Sequence, residues 1–495
     1  MRHVRTRRLA VSLLLMGLLI LFGSIGANFA KSNCPQPKVA LPSASSPDRT
    51  AAVQRLSAAV RLRTITSEDP RQIEPKPFLE LHRLLETSYP HVHRTLIREV
   101  VGQYSLLYTW KGTDPERNPI LLMAHMDVVP IERGTESVWV HPPFSGDIAD
   151  GFVWGRGTLD DKASLLGVLE GAEVLIAQGF RPSRTVYLAF GHDEESRGQE
   201  GAAKIALLLK SRGVRLDFVL DEGLIIADGV IPGASAPVAM IGTAEKGLLS
   251  AEMTVTAAGG HASMPPPQTA IGALAAGIWK LEAKPMSTAI REPARELFAC
   301  VSSTMPLFRR VAFANLWLFE PLILRELTKS PATNAAVRTT SAVTVARGGT
   351  ADNVLPISAT ATVNSRILPG DTTAGVLEHI RHVIDDPRIT IRVLKMAEPS
   401  PVSSTSTGSF QAIATAVRQI YPQVIVSPGL MIGGTDSVHF LSLTDATYRF
   451  VPITLTPADL RRIHGTNERI RVDSYEMLIK FYIQVLLNTA SDLSS

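Results

Sequence analysis

Histidine and acidic residues follow several apolar segments of the chain, at positions where buried strands would end. These groups are His125-Met126-Asp127, Asp160-Asp161, Asp193-Glu194-Glu195 and Asp221-Glu222, and His464 follows near the C-terminus. Imidazole and carboxylate groups are the ligands that hard or borderline divalent cations take from proteins. The sequence therefore predicts a site for such a cation, or for a pair of them, and not a thiolate site.

The spacing within two of these groups fits a metal site. Asp127 lies two residues after His125, so in an extended chain its carboxylate projects to the same side and can hold the second ring nitrogen. Asp160 follows Gly155 and Gly157, which allow close backbone approach, and a bridging carboxylate offsets the repulsion between two cations. The alternatives are a histidine satisfied at a strand end and an Asp160 that only caps a helix.

The third group has three adjacent carboxylates at the end of an apolar segment. Their mutual repulsion is a cost that a multivalent cation removes. Because neighbouring side chains can diverge, one can bind metal while the other faces a bound water as a general base. A solvated acidic turn is the alternative.

Short apolar segments that alternate with helical patterns predict a doubly wound, mostly parallel α/β sheet. Residues 119–124, 184–190 and 217–220 are predicted strands, and residues 165–176 have helical spacing. The last helix is predicted to begin at Asp473. In such a sheet the carboxyl ends of the strands form the ligand crevice, which is where the acidic groups fall.

The middle of the chain follows a different order, β-α-β-β-α-β, which is typical of a ferredoxin-like unit. The sequence thus predicts a catalytic domain formed by residues 50–245 and 398–490, with an inserted lid domain at residues 246–397. Residues 284–336 form an apolar insertion too long for a plain loop. It could cover the site, pack on a partner or touch a membrane.

Charge and composition limit the other functions. Four arginines within the first eight residues supply a charge equal to the whole formal net charge of +4, so the rest of the chain is near neutral. This argues against nucleic-acid binding.

The N-terminal residues 9–27 carry no charge. Residues 1–30 are therefore predicted to be an uncleaved transmembrane anchor or a cleaved signal peptide, followed by a flexible stalk at residues 31–49. The catalytic domain would then lie outside the cytoplasm. No disulfide framework is expected from Cys34 and Cys300, although a single bridge between them is an alternative.

Taken together, the motifs resemble the dizinc aminoacylase/carboxypeptidase family, metallopeptidase family twenty, and within it the carboxypeptidase S branch. Besides the groups above, Gly260-His261-Ala262-Ser263 and Gly433-Gly434-Thr435-Asp436-Ser437 carry this resemblance, which runs from about residue 50 to residue 490. The resemblance implies two zinc ions per chain and an enzyme that hydrolyses amide bonds.

The resemblance also implies a role for each site residue. The implied zinc ligands are His125, Asp160 as the bridge, Glu195, Asp221 and His464, with Glu222 as the alternative to Asp221. Glu194 is the implied general base, and Asp127 the partner of His125. His261 would stabilise the oxyanion, often from a second subunit, which makes a homodimer an expectation.

Substrate residues follow from the same resemblance. Arg366 matches a carboxylate-binding arginine, Asn353 a substrate-contacting asparagine, and Gly433 and Gly434 could donate backbone N–H groups to the same carboxylate. The implied substrate is a small peptide or an N-acyl amino acid with a free carboxylate. The alternatives are an aminopeptidase or deacylase of the same family, and an inactive membrane-tethered protein that binds small molecules.

Overall fold

The computed structural model describes residues 2–31, 34–39, 47–67, 69–231 and 233–491. The stalk predicted at residues 31–49 therefore lies in part outside the described residues. The predicted fold class is confirmed: a large, mostly parallel sheet with helices carries a second, smaller α+β unit.

The strands and helices have the following bounds. The strands are β1 Ile97–Val101, β2 Ser105–Trp110, β3 Ile120–His125, β4 Ile148–Ala149, β5 Phe152–Trp154, β6 Val186–Gly191, β7 Phe218–Ala227, β8 Val238–Glu245, β9 Gly247–Thr256, β10 Gly260–His261, β11 Thr340–Gly348, β12 Val354–Leu355, β13 Ser358–Ile367, β14 Ile389–Ala397, β15 Ile425–Met431, β16 Thr447–Leu455 and β17 Arg469–Arg471. The helices are α1 Arg2–Lys31, α2 Arg49–Val60, α3 Pro75–Ser88, α4 Pro90–Thr95, α5 Lys162–Ala177, α6 Ala202–Ser211, α7 Ala270–Ala283, α8 Ala294–Ser302, α9 Leu307–Ala314, α10 Leu316–Leu327, α11 Pro331–Ala336, α12 Thr373–Ile384, α13 Gly408–Ile420, α14 Pro457–Leu460 and α15 Val472–Ala490.

The central sheet has the strand order β1-β2-β6-β3-β7-β16-β8-β15. Strand β3 runs parallel to both β6 and β7, and β7 runs parallel to β16. Both faces are covered by helices: Leu122 of β3 lies in the large core on one face, and Leu121 packs with α6 on the other. This two-sided burial explains why β3 is a continuous apolar segment in the sequence.

Helices α5 and α15 pack closely beneath the site. A Cβ atom at Gly167 of α5 would lie 2.1 Å from Cδ2 of Leu478, and one at Gly171 would lie 3.3 Å from the backbone nitrogen of Ile483. Glycine at these two positions therefore lets the helices approach each other. This contact holds the N-terminus of α5 against the sheet, directly after Asp160 and Asp161.

The second sheet has the order β11-β13-β9-β14, and α7 and α12 pack against it around a separate core. In chain order its elements are β9, α7, β11, β13, α12 and β14, which is the predicted ferredoxin-like order. Between α7 and β11 the apolar insertion forms the helices α8 to α11 and buries its own cluster, which includes Phe298 and Leu316.

The N-terminal region contacts this insertion. Asn28 of α1 donates from Nδ2 to Oδ1 of Asn315 at 3.1 Å, and Cys34 forms a disulfide with Cys300 of α8. This is the single bridge that the sequence analysis gave as the alternative, while no disulfide framework was expected from two cysteines. The physical reason is that Gln36 exchanges hydrogen bonds with the backbone of Val426 in β15, at 3.0 and 2.8 Å, which holds the neighbouring Cys34 near α8.

No helix in the described part of the chain is long and apolar enough to cross a membrane. The structure therefore gives no support to the uncleaved transmembrane anchor that the sequence predicts for residues 1–30. The described helix α1 makes its contacts with the insertion, through Asn28 and through Phe29, whose ring lies under the guanidinium of Arg310 at 5.0 Å.

Candidate active site

The parallel strands β3, β6 and β7 end at the same edge of the central sheet, and most of the predicted metal ligands meet there. His125 is the last residue of β3, the turn with Glu194 and Glu195 follows β6, and Glu222 lies within β7. Asp160 reaches this edge from the turn before α5. His464 joins them from the loop that follows α14, where its φ of 57° is left-handed.

Two groups of ligand atoms share Asp160. Nε2 of His125 lies 2.9 Å from Oδ1 of Asp160 and 3.5 Å from Oε1 of Glu222. On the other side, Nε2 of His464 lies 3.0 Å from Oδ2 of Asp160 and 3.1 Å from Oε2 of Glu195. Each group can hold a metal ion. One carboxylate with an oxygen in each group is the arrangement that bridges two cations.

The chemistry of these donors fits a pair of divalent cations. Oε1 of Glu195 is buried and has no hydrogen-bond partner among the described residues. Burial raises the pKa of Glu194 well above its usual value, opposed by His125 and reinforced by Asp436 and Glu195. Burial likewise raises the pKa of Glu222, together with the charge of Asp160. A cation at this position would relieve the repulsion among these carboxylates.

Asp127 connects His125 to the general-base candidate. Its carboxylate accepts hydrogen bonds from the backbone N–H groups of Glu194 and Glu195, both at 3.1 Å. Nδ1 of His125 lies 3.0 Å from the backbone oxygen of Asp127 and 3.4 Å from Oδ1 of the same residue. Asp127 thus holds the ring of His125, as the spacing of the motif predicts. It also holds the turn that carries Glu194, which the spacing does not predict.

Glu222, and not Asp221, lies in the group around His125. Asp221 is buried away from it: Oδ1 accepts from the backbone nitrogen of Glu222 at 2.9 Å and Oδ2 from that of Ser437 at 2.8 Å. The sequence analysis chose Asp221 with Glu222 as its alternative, and the geometry favours Glu222, which we carry forward as a proposal. The physical reason is that both oxygens of Asp221 are engaged by backbone N–H groups, which leaves Glu222 as the ligand candidate from β7.

The sequence analysis missed a buried ion pair that supports the site. Arg156 lies 2.5 Å from Oε2 of Glu468, and both side chains are almost completely buried. Oε1 of Glu468 accepts from the backbone nitrogens of Leu159 and Asp160, at 2.8 and 3.3 Å. In the sequence, the one feature that could have indicated this ion pair was the charged Arg156 between Gly155 and Gly157. No feature of the sequence indicated Glu468.

The predicted oxyanion residue, His261, and the predicted substrate residue Asn353 are joined on the lid. The short strands β10 and β12 pair His261 with Val354, and the backbone oxygen of Asn353 accepts from the nitrogen of Ala262 at 3.0 Å. His261 and Asn353 are exposed, and Nδ1 of His261 contacts Ser263 at 2.8 Å. No described contact joins either residue to the metal ligands, so the structure brings them to each other but not to the site.

The other substrate residues lie on separate elements. Arg366 is half-buried near the end of β13, opposite Leu248 of β9 and Thr340 of β11. Gly433 and Gly434 follow β15 after one intervening residue, Ile432. The next residue, Thr435, is fixed by Glu245, whose Oε2 accepts from its backbone nitrogen and from its hydroxyl, both at 3.2 Å.

Comparison with known proteins identifies the family. The model of peptidase family M20/M25/M40 matches residues 121–488. The chain belongs to this family. It is 42% identical over 488 residues to the probable carboxypeptidase S-like 2 of Dictyostelium discoideum, with 96% of this chain and 93% of the relative covered. The N-fatty-acyl-amino acid synthase/hydrolase of Xenopus tropicalis is 41% identical over 449 residues, with 90% and 87% covered.

The family resemblance inferred from the motifs is confirmed, including the carboxypeptidase S branch. Carboxypeptidase S of Saccharomyces cerevisiae is 31% identical to this chain over 490 residues. The alignment covers 89% of this chain and 84% of the relative. A solved structure of a family M20 metallo-carboxypeptidase from Sulfolobus solfataricus has the same fold, with a TM-score of 0.64, 17% identity and 88% and 98% of the two chains covered. As a member of peptidase family M20/M25/M40, the chain is a metal-dependent hydrolase of amide or peptide bonds.

Proposed function

We propose that this member of the M20/M25/M40 family is a dizinc enzyme that hydrolyses the amide bond of N-acyl amino acids or C-terminal dipeptides with a free carboxylate. The observation that carries the proposal is the position of Asp160, whose two oxygens lie 2.9 Å from His125 and 3.0 Å from His464. The names of the relatives support both substrate classes. Condensation is the reverse of the same reaction.

The proposed ligands are His125 and Glu222 for one zinc ion, Glu195 and His464 for the other, and Asp160 for both. When bound, zinc would lower the pKa of a water molecule and polarise the amide carbonyl. Glu194 is the proposed general base: its carboxylate takes the proton of the attacking water and then gives it to the nitrogen of the leaving amine. Asp127 positions Glu194, because its carboxylate accepts a hydrogen bond from the backbone N–H group of Glu194.

Substrate orientation is proposed to come from the lid and from the loop after β15. Arg366 would bind the free carboxylate with its guanidinium, and Gly433 and Gly434 would donate backbone N–H groups to it. His261 would stabilise the oxyanion, with Asn353 beside it on the same hairpin. Since no described contact joins that hairpin to the metal ligands, we propose that it reaches a site only after lid closure or in a homodimer.

We also propose that the enzyme works outside the cytoplasm. The disulfide between Cys34 and Cys300 supports this location, because such bridges persist in oxidising compartments and are rare in the cytosol. The domain boundaries at residues 246 and 397 remain our proposal. They coincide with the junctions between β8 and β9 and after β14.

The decisive experiment measures zinc content and hydrolysis of a panel of N-acyl amino acids and dipeptides by the purified enzyme. About two zinc ions per chain are expected. Glu194→Gln should retain them and lose roughly 10²- to 10⁴-fold in kcat, which is what a general acid–base group contributes. Glu200→Gln is the matched control, because Glu200 is exposed, pairs with Lys204 and follows the same turn.

Three outcomes contradict the proposal. Full activity of Glu194→Gln would remove its assigned role, and the absence of bound zinc would remove the dizinc centre. A preference for substrates with a free α-amine that is unchanged in Arg366→Gln would indicate an aminopeptidase.

A further inference from the structure

The apolar insertion at residues 284–336 contributes most of the lining of a cavity that the proposed function does not use. The cavity has a volume of about 620 Å³, which falls in the range of roughly 300–1,000 Å³ that small-molecule sites occupy. None of its lining residues belongs to the two proposed groups of metal ligands or to the proposed substrate residues.

One side of helix α10 forms a wall of this cavity. Its lining residues recur at intervals of three and four positions, so their side chains project from the same side of the helix. They are Trp317, Glu320, Pro321, Leu324, Arg325 and Thr328. Leu316 and the pair of Thr288 and Arg338, which form an antiparallel bridge, complete the lining.

The apolar part of the lining contains an aromatic ring whose polar edge already has a partner. Trp317 is 59% exposed, and its Nε1 donates to Oδ1 of the buried Asn315 at 3.2 Å. Nδ2 of Asn315 in turn donates to the backbone oxygen of Val311 at 2.9 Å. Because the indole N–H is satisfied, the ring is free to contact an apolar ligand, beside Pro321 and Leu324.

The polar part of the lining has an excess of positive charge. Among the described residues, neither Arg325 nor Arg338 has an ion-pair partner, and Nε of Arg338 is buried without a hydrogen-bond partner. Glu320 is the single carboxylate of the lining, and its Oε1 accepts from the backbone nitrogen of Ile290 at 3.3 Å. An anionic group in the cavity would give the two guanidinium groups a partner that they lack.

Contacts within the protein hold the walls in place. Lys246, between β8 and β9, donates from Nζ to the backbone oxygens of Ala335 and Arg338, at 2.9 and 2.8 Å. The disulfide from Cys34 to Cys300 fixes helix α8 of the insertion. The cavity is therefore formed by anchored elements, as is usual for a ligand site.

We propose that this cavity binds a single-chain anionic amphiphile, such as a medium- or long-chain carboxylate, at a site separate from the metal centre. The head group lies between Arg325 and Arg338. The apolar chain lies along Trp317, Pro321 and Leu324. The inference does not depend on the proposed function, because no lining residue takes part in it.

The first experiment measures binding by isothermal titration calorimetry to the purified, zinc-loaded full chain, with ligands kept below the concentrations at which they form micelles. Dodecanoate should bind at least about tenfold more tightly than octanoate, since each buried methylene contributes about two- to fourfold in affinity. Dodecan-1-ol, which lacks the charge, should bind about tenfold more weakly than dodecanoate. Dodecyl phosphate distinguishes a phosphate head group from a carboxylate, and the tighter of the two ligands names the head group.

The second experiment locates the site with variants. Arg325→Gln and Arg338→Gln should each weaken the binding of dodecanoate about tenfold, the effect of one charge-assisted hydrogen bond. Lys329→Gln is the matched control, because Lys329 removes the same charge from the turn after α10, lies outside the cavity and pairs with Glu326 at 2.6 Å.

A second pair of variants tests the apolar wall. Trp317→Ala should weaken the binding of dodecanoate about tenfold, because the chain loses the aromatic ring that it contacts. Trp279→Ala is the control, since Trp279 is equally an exposed tryptophan but lies on α7 and outside the cavity. It should bind dodecanoate like the wild type.

Four outcomes overturn the inference and leave the proposed function standing. They are the absence of binding by both anionic ligands, equal binding of dodecanoate and dodecan-1-ol, wild-type affinity in Arg325→Gln, Arg338→Gln and Trp317→Ala, and a loss of affinity in Arg366→Gln alone. The last result would place the ligand at the proposed substrate site instead of in the insertion. Loss of hydrolysis in Arg366→Gln bears on the proposed function and leaves the inference unchanged.

Discussion

Arg156 and Glu468 form a buried ion pair, 2.5 Å long, that joins the two loops of the metal centre. Arg156 also donates to the backbone oxygens of His464 and Gly465, at 3.0 and 3.1 Å. Glu468 accepts from the backbone nitrogen of Asp160 at 3.3 Å. The pair therefore positions both Asp160, the proposed bridging carboxylate, and His464, although neither Arg156 nor Glu468 lies in the two proposed ligand groups.

Glu468→Gln is expected to weaken both folding and metal binding. The substitution leaves the buried guanidinium of Arg156 without its counter-charge, and breaking such a pair costs about 3–5 kcal/mol. Because Asp160 and His464 lose their support, zinc affinity should fall about 10- to 100-fold, as for other residues that orient metal ligands. Urea denaturation and competition with a chelator measure the two effects.

The matched control is Glu99→Gln, which breaks the exposed pair between Glu99 and Arg212 at 2.7 Å. Its effect on stability should stay within about 1 kcal/mol, and its zinc affinity should be that of the wild type. Unchanged zinc affinity in Glu468→Gln would show that the ion pair does not position the ligands.

Glu222→Gln and Asp221→Asn should have different effects on metal content. Glu222 lies 3.5 Å from Nε2 of His125, so its replacement should leave about one zinc ion per chain. Asp221 instead holds the backbone nitrogen of Ser437 at 2.8 Å, and Asp221→Asn should retain both ions while it loosens that loop. Elemental analysis of the two purified variants checks this, and the opposite result would return Asp221 to the ligand set.

The strand ends were predictable because burial on both faces leaves a continuous apolar segment. Strand β3 was expected to end at residue 124 and ends at His125, and α15 begins at Val472, one residue before the expected Asp473. The ferredoxin-like order was equally visible, because its elements keep separate strand and helix periodicities. The residue types of the metal ligands follow from the same analysis.

The choice between Asp221 and Glu222 was not predictable. The two are adjacent in β7, and only tertiary contacts decide which of them faces His125 and which meets Ser437. The pairing of Arg156 with Glu468 was not predictable either, because the two residues are 312 positions apart and only the tertiary fold brings them together. The bridge from Cys34 to Cys300 also depends on the contact of Gln36 with β15.

The binding of substrate should depend on the ionisation of Lys246. Its pKa is lowered to about 8, so the ammonium group loses its proton as the pH rises through that value, and the charge beside Arg366 is lost. KM for a carboxylate substrate should therefore rise about three- to tenfold between pH 7 and pH 9.5. Steady-state kinetics across this range measure the change.

Lys246→Arg is the control for that profile. Lys246 donates to the backbone oxygens of Ala335 and Arg338, at 2.9 and 2.8 Å, and arginine is also a donor that keeps its charge over the whole range. The rise in KM should therefore be absent or smaller in this variant, while changes in kcat that arise at the metal centre should remain. A rise of equal size in both proteins would assign it to another group.

Loss of the disulfide should destabilise the N-terminal region without impairing catalysis. The bridge joins residues 266 positions apart, and removal of a native disulfide costs about 2–5 kcal/mol. In the double variant Cys34→Ser, Cys300→Ser, a protease should cleave more readily near residues 34–39, because among the described residues Gln36 then provides the remaining hydrogen bonds to β15. Since neither cysteine contacts a proposed metal ligand, kcat/KM should stay within about twofold of the wild type.

Gln36→Ala, which retains the bridge, is the control for this variant. A large loss of kcat/KM in the serine variant alone would mean that the bridge shapes the active site itself.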